Sequence, residues 1–370
     1  MQAPIKFGKT VRFASTGWRV YALIIVYASL YPFIGWRVPE SAVFNNFLWP
    51  RLWSEMDVVI NILAYLPLGI LLALNQGMGS KRFFKAFLLG SALSLSMELL
   101  QFLLPSRVPS TLDWLSNSVG VAVGVALVFL PPGRQIVGHF LRWRKHFMRN
   151  EASADWGMVL IGIWFISQLN PGIPFFEAGN IINQLTADWR IDPYAPMFLV
   201  PQALGVALNA FGFVMLVSVL LKPVRGRFRL ILATLMSGFI LKFATAALML
   251  RAPLMDSWLG PPAIFGLSAG IIAGFLCMGL AYRPRLLLAT LLVFAGGLLS
   301  KMSGVYDALD ETLRLFDWPF DRYGNFASLT KSLHEVWPVI AVIFLSYCFI
   351  RYQPKPEPKP ETKSESQSFS

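Results

Sequence analysis

Long apolar runs separated by short polar or charged clusters fill the chain from Trp18 to Ile350. Within a run the apolar positions follow neither the alternation of a half-buried strand nor the single stripe of a surface helix, so each run predicts a helix that is apolar all round. Ten runs predict membrane-spanning helices, at about 18–34, 58–75, 83–104, 115–130, 156–169, 198–221, 230–250, 263–282, 286–300 and 336–350. The fold class that follows is all-α, a polytopic integral membrane helical bundle.

Two segments break this pattern. In 135–149, Ile136, Val137, Phe140, Leu141, Phe147 and Met148 share one helical face, and Arg142, Arg144, Lys145 and Arg149 take the other. That arrangement suits a helix lying in the membrane interface, or a basic connector. In 305–316, Val305, Leu309, Leu313 and Phe316 oppose Asp307, Asp310, Glu311 and Arg314, and this segment is expected to cap the outer face. From Gln353 the chain reads QPKPEPKPETKSESQSFS, the composition of a disordered tail.

Composition agrees and adds an orientation. Of 370 residues, 55% are hydrophobic and 14% charged; a soluble domain carries roughly 25% charged residues. The net charge of +12 would suggest nucleic acid on a soluble chain, but here the cations sit in alternate loops. With the N-terminus inside, the inner segments before the tail hold 18 Lys and Arg against two acids, Glu151 and Asp155, and the outer loops hold 9 against 14. The positive-inside rule then predicts cytoplasmic N- and C-termini in the inner membrane, and no nucleic-acid partner. The first span reads as an uncleaved anchor, since its end is too bulky for a signal-peptide cleavage site. Cys277 and Cys348 fall inside spans and read as packing residues.

Self-comparison suggests a duplication. NILAYLPLGILLAL from Asn61 aligns with NAFGFVMLVSVLL from Asn209, and Arg107, Asp113 and Trp114 align with Arg251, Asp256 and Trp258. The expected organisation is a first unit over 1–133, an interfacial linker over 134–155, a degenerate second unit over 156–282, two further spans with an outer loop over 283–352, and a tail over 353–370. Four spans per unit would relate the copies by an axis along the membrane normal.

Polar groups inside lipid are informative because a charge at mid-span costs roughly 3 kcal/mol. The first unit holds Asp57 and Asn61 one turn apart at the outer start of the second span, Glu98 and Gln101 near the outer end of the third, Arg107 in the following turn, and Asp113 with Asn117 at the start of the fourth. Spacings of i to i+4 and i to i+3 put each pair on one face, so three faces can converge on a candidate binding site. Pro67 would kink the second span, and Gly120 with Gly124 would let the fourth approach its neighbour closely.

NILAYLPLG followed by Glu98, Gln101, Arg107, Asp113, Asn117, Gly120 and Gly124 resembles the VanZ-like membrane family over about residues 20–130. The namesake of that family accompanies glycopeptide resistance and lowers sensitivity to teicoplanin. The resemblance implies a cell-envelope role without naming a reaction. The second unit departs from the pattern: Glu98 becomes Lys242, Gln101 becomes Thr245, Pro67 becomes Met215, and nothing corresponds to Asn117. Glu98 and Lys242 are therefore expected either to pair across the approximate twofold axis or to be satisfied locally, Glu98 by Arg107 and Lys242 by a carbonyl.

Four functions fit these residues. The first is recognition of a membrane lipid, a lipid-linked envelope molecule or a lipoglycopeptide in the outer leaflet, with Arg107 meeting a phosphate or carboxylate. The second is a lipid-modifying enzyme with Glu98 as base and Asp113 as its partner. The third is a lipid or small-molecule transporter or flippase, and the fourth is a purely structural hydrogen-bonded network. His139, His146 and His334 lack ligand partners at zinc spacing and no phosphate loop is present, so no metal or cofactor is expected.

Overall fold

The computed structural model describes residues 12–38, 47, 54–76, 80–149, 152–170, 173, 175–176, 196–249, 259–302 and 320–352. Among them the chain forms eleven helices: α1 (Arg12–Leu30), α2 (Glu55–Gln76), α3 (Ser80–Gln101), α4 (Thr111–Phe129), α5 (Pro131–Phe147), α6 (Ala152–Ser167), α7 (Pro196–Leu220), α8 (Arg227–Met249), α9 (Pro261–Cys277), α10 (Tyr282–Met302) and α11 (Phe320–Arg351). Eight of them, α1 to α4, α7, α8, α10 and α11, are long and apolar enough to cross a membrane. The apolar helices α6 and α9 are shorter, at 16 and 17 residues. The protein is an all-helical membrane protein among its described residues.

Several boundaries follow from proline. α1 stops at Leu30, ahead of the expected end at Ile34, because Tyr31 precedes Pro32 and a residue before proline disfavours the helical region. Leu130, at φ −66° and ψ 149°, separates α4 from α5 for the same reason, and Pro131 then opens α5 where no N–H is needed. The segment expected at the interface is this helix α5. The span expected over 336–350 is the second half of the 32-residue α11, which starts at Phe320 and passes through Pro338.

Two apolar cores hold the bundle. The first lies between α2 and α4, around Leu68, Leu72, Val121 and Val125. The second surrounds α7, whose Phe213, Val214, Met215 and Leu216 are fully buried. Trp164 of α6 packs on Phe213 with ring centroids 4.1 Å apart. α7 packs on α9 and α10, α11 packs on α10 and α6, and α1 bridges the halves by touching both α2 and α6. Large apolar residues such as Leu63, Ile240, Phe265 and Ile350 face outward, as a lipid surrounding allows.

Glycine sets the closest approaches. A Cβ on Gly120 would lie 2.3 Å from the Ile62 carbonyl oxygen, and one on Gly124 would lie 2.2 Å from that of Leu66. The contact is reciprocal, since Gly69 of α2 faces the Val121 carbonyl at 2.3 Å by the same construction. Only a residue without Cβ permits backbone-to-backbone packing of this kind. In the second half, Gly266 and Gly270 of α9 meet the Ala203 and Ala207 carbonyls of α7 at 2.4 and 2.3 Å.

Candidate functional site

The first four helices bring most of the predicted polar residues together at one end of the bundle. At the start of α2 the Ser54 hydroxyl accepts from the Asp57 N–H at 3.2 Å and caps the helix. One turn further on, the Asn61 side-chain amide donates to Asp113 Oδ1 of α4 at 2.9 Å. Asp113 is close enough to Asp57 on one side for their charges to interact, and Glu98 of α3 is close enough to Asp113 on the other. A row of three acids thus runs from α2 through α4 to α3.

Glu98 is 4% exposed, and its Oε2 accepts from the Ser110 N–H at 2.9 Å. Ser110 is the N-cap of α4, and its hydroxyl accepts from the Leu112 N–H at 3.1 Å. Between them the two residues accept from two N–H groups at this helix start, those of Ser110 and Leu112. Below them the Asn117 amide donates to the Ser94 hydroxyl at 3.0 Å, and Asn117 Oδ1 is buried without a hydrogen-bond partner. Ser91 and Ser118 bond at 2.8 Å, and the Trp114 indole donates to Ser91.

Gln101 and Arg107 turn away from the acids. The Gln101 amide donates to the Ser29 carbonyl of α1 at 3.1 Å. Arg107 Nη2 donates to the carbonyls of Ala28 and Tyr31, each at 2.8 Å, and so closes the C-terminal end of α1. Burial pushes its guanidinium below its ordinary pKa. The expectation that Arg107 satisfies Glu98 is corrected here: carbonyls at the C-terminal end of α1 draw the guanidinium to that helix, and Glu98 is met by a backbone N–H instead.

Pairing of Glu98 with Lys242 is corrected as well. Lys242 of α8 is fully buried, and its Nζ donates to the Asn170 carbonyl at the end of α6. Each group finds a partner on a neighbouring segment, and no ion pair joins them. Asn209, the expected counterpart of Asn61, lies against Gly296 of α10. The proposed counterparts Arg251, Asp256 and Trp258, the segment 305–316 and the tail 353–370 lie outside the described residues.

Sequence reasoning missed Tyr65. It follows Asn61 by one turn, is 5% exposed, and its hydroxyl faces Ser94 and Ser29 with Glu98 nearby. It also missed Ser91, Ser94 and Ser110. A signal was present: Ser91, Ser94, Glu98 and Gln101 recur at steps of three, four and three, which is one face of α3. Among the described residues, no group of three or more His, Cys, Asp and Glu is placed to hold a metal ion.

This geometry defines a helical membrane protein with a polar seam at one end of its first four helices. The family described as VanZ/LLP1 matches residues 8–131, so these four helices form a VanZ-like unit. No curated protein matches the chain. No solved structure matches it either.

Proposed function

We propose that the VanZ-like unit recognises the polar head of an amphiphile in the outer leaflet of the cytoplasmic membrane, either a lipid-linked envelope molecule or a lipoglycopeptide, and thereby lowers sensitivity to antibiotics such as teicoplanin. The observation that carries this reading is an excess of acceptors in the seam. Glu98 and Asp113 are met by uncharged donors, a backbone N–H and an amide, and Asn117 Oδ1 has no partner at all. Buried acceptors in this state favour a ligand that brings hydroxyl or ammonium donors, as a sugar or amino-sugar head does. Arg107, held by one nitrogen on α1, keeps its other donors for an anionic group at the rim.

The orientation proposed for the seam is outward, with ten spans and both termini inside. Support comes from the distribution of cations. Arg144, Arg149, Lys222, Arg227 and Arg285 meet at the end of the bundle where α5 lies, opposite to the seam. The shorter apolar helices α6 and α9 supply the two spans beyond the eight. A duplicated origin is supported by the glycine-lined pairs α2 with α4 and α7 with α9, although their side chains have diverged.

A second reading, in which the seam only fastens the helices, is favoured by the Ser91–Ser118 and Asn117–Ser94 bonds between α3 and α4. Glu98→Gln and Asp113→Asn separate the two. Folded protein in the membrane and sensitivity to teicoplanin are scored for each. Normal levels with altered sensitivity support recognition; normal levels with unchanged sensitivity end it.

A further inference from the structure

α5 crosses the end of the bundle opposite to the seam, and its course is fixed by what it touches. It starts just after α4 ends at Phe129, with only Leu130 between them. At its far end the Lys222 N–H donates to the Phe147 carbonyl at 2.8 Å and the Arg149 N–H donates to the Leu220 carbonyl at 3.1 Å, where α7 finishes. Between these ties the Phe140 ring meets Phe13 in the first turn of α1, with centroids 5.4 Å apart, and Arg144 pairs with Asp155 in the first turn of α6. Four helices thus present their ends to α5, and three of them, α1, α4 and α7, are long and apolar enough to cross the membrane. A helix of 17 residues, roughly 25 Å long, that is tied in this way lies along the membrane boundary rather than projecting from it.

Down its length α5 divides into three strips. One faces the bundle, where Val137 packs on the first core and Arg144 holds α6. The second is apolar but uncovered: Ile136, Phe140 and Trp143, at steps of four and three, are 68%, 36% and 37% exposed, and the two rings stack at 5.7 Å. The third carries Arg134, Arg142 and Lys145, all exposed and without an acidic partner among the described residues. The first two strips adjoin. A helix at the edge of the bundle therefore turns its apolar strip to the lipid beside it, and its cations stand on the remaining side, with stems long enough to reach headgroup phosphates.

We propose that α5 is an in-plane anchor that inserts Ile136, Phe140 and Trp143 among the lipids at this end of the bundle and gathers anionic phospholipid around Arg134, Arg142 and Lys145. Lipid is the occupant of the uncovered strip because the spanning-helix ends that hold α5 set the strip at the depth of the boundary, and an indole is at home there. Its charge follows from the third strip: three exposed cations with no acid among them complement a layer of phosphates. Recognition at the seam plays no part in this anchor.

The test uses the full chain carrying Cys277→Ala and Cys348→Ala, reconstituted in vesicles of phosphatidylcholine and phosphatidylglycerol in equal parts. A bimane fluorophore is attached at Ile136→Cys, and acyl chains brominated on one lipid or on the other are used to quench it. Strong quenching is expected, greater by about twofold when the brominated chains belong to phosphatidylglycerol. Arg134→Gln, Arg142→Gln and Lys145→Gln together are expected to make the two lipids quench alike. A fluorophore at Ile240→Cys, 61% exposed on α8, reports insertion in the bilayer and is expected to be quenched with or without those three substitutions. Absence of quenching at Ile136→Cys while Ile240→Cys is quenched means that water or a protein covers the strip, and overturns the proposal. Equal quenching by the two lipids with the three cations intact overturns it as well.

Discussion

Asn61 and Asp113, 52 positions apart in the chain, are joined by a hydrogen bond of 2.9 Å from the Asn61 amide to the Asp113 carboxyl. The bond ties the second turn of α2 to the first turn of α4, beside the glycine contact that brings the two backbones together. A side-chain bond between membrane helices contributes about 1 kcal/mol. Asn61→Ala is expected to lower stability by that amount, read from reversible unfolding in detergent. The double substitution Asn61→Ala with Asp113→Ala is expected to cost less than the sum of the two singles; strict additivity would show that the bond contributes nothing.

Gly120 tests the packing below that bond. An alanine methyl there would sit 2.3 Å from the Ile62 carbonyl oxygen, which belongs to a helix backbone and cannot move aside like a side chain. Gly120→Ala is expected to destabilise the unit by about 1–3 kcal/mol through overpacking. Gly162→Ala is the control, because nothing lies within 4 Å of the added Cβ. Equal melting of the two variants would sink the claim that α2 and α4 meet backbone to backbone.

How far the sequence reveals this site depends on the kind of residue. Acids and amides inside apolar runs are legible because lipid tolerates them poorly, and the helical spacing of Asn61, Glu98 and Asn117 already places them on converging faces. Ser91, Ser94 and Tyr65 are not, since hydroxyl groups occur throughout membrane helices and bond to their own backbone at little cost. Arg107 was legible as a residue but not in its direction: the carbonyls it meets become available only because Pro32 ends α1 early. Lys242 shows the same limit. Its burial follows from the apolar run around it, whereas its partner, the Asn170 carbonyl, depends on where α6 stops.

Arg107 therefore acts first on α1. Two carbonyls share its Nη2, and charge-assisted bonds of this kind contribute about 1.5–3 kcal/mol. Arg107→Ala is expected to loosen the segment after Leu30, giving faster amide exchange at Tyr31 and Phe33 together with a lower unfolding midpoint. Arg107→Lys should restore part of the midpoint, because one ammonium can donate to both oxygens. If exchange at these amides is unchanged in Arg107→Ala, the capping role fails.

Glu98 separates fastening from recognition most sharply, because two substitutions remove different parts of it. Its Oε2 serves the Ser110 N–H at the start of α4, and a buried N–H left without an acceptor costs about 1–3 kcal/mol. Glu98→Ala is expected to lose that much stability. Glu98→Gln keeps a carbonyl oxygen for Ser110 and is expected to fold like the parent, while replacing one acceptor of the seam by a donor. If the seam receives a ligand's hydroxyl or ammonium groups, Glu98→Gln alters antibiotic sensitivity at normal protein levels. If it only fastens helices, sensitivity follows folded protein in both variants, and Glu98→Gln is silent.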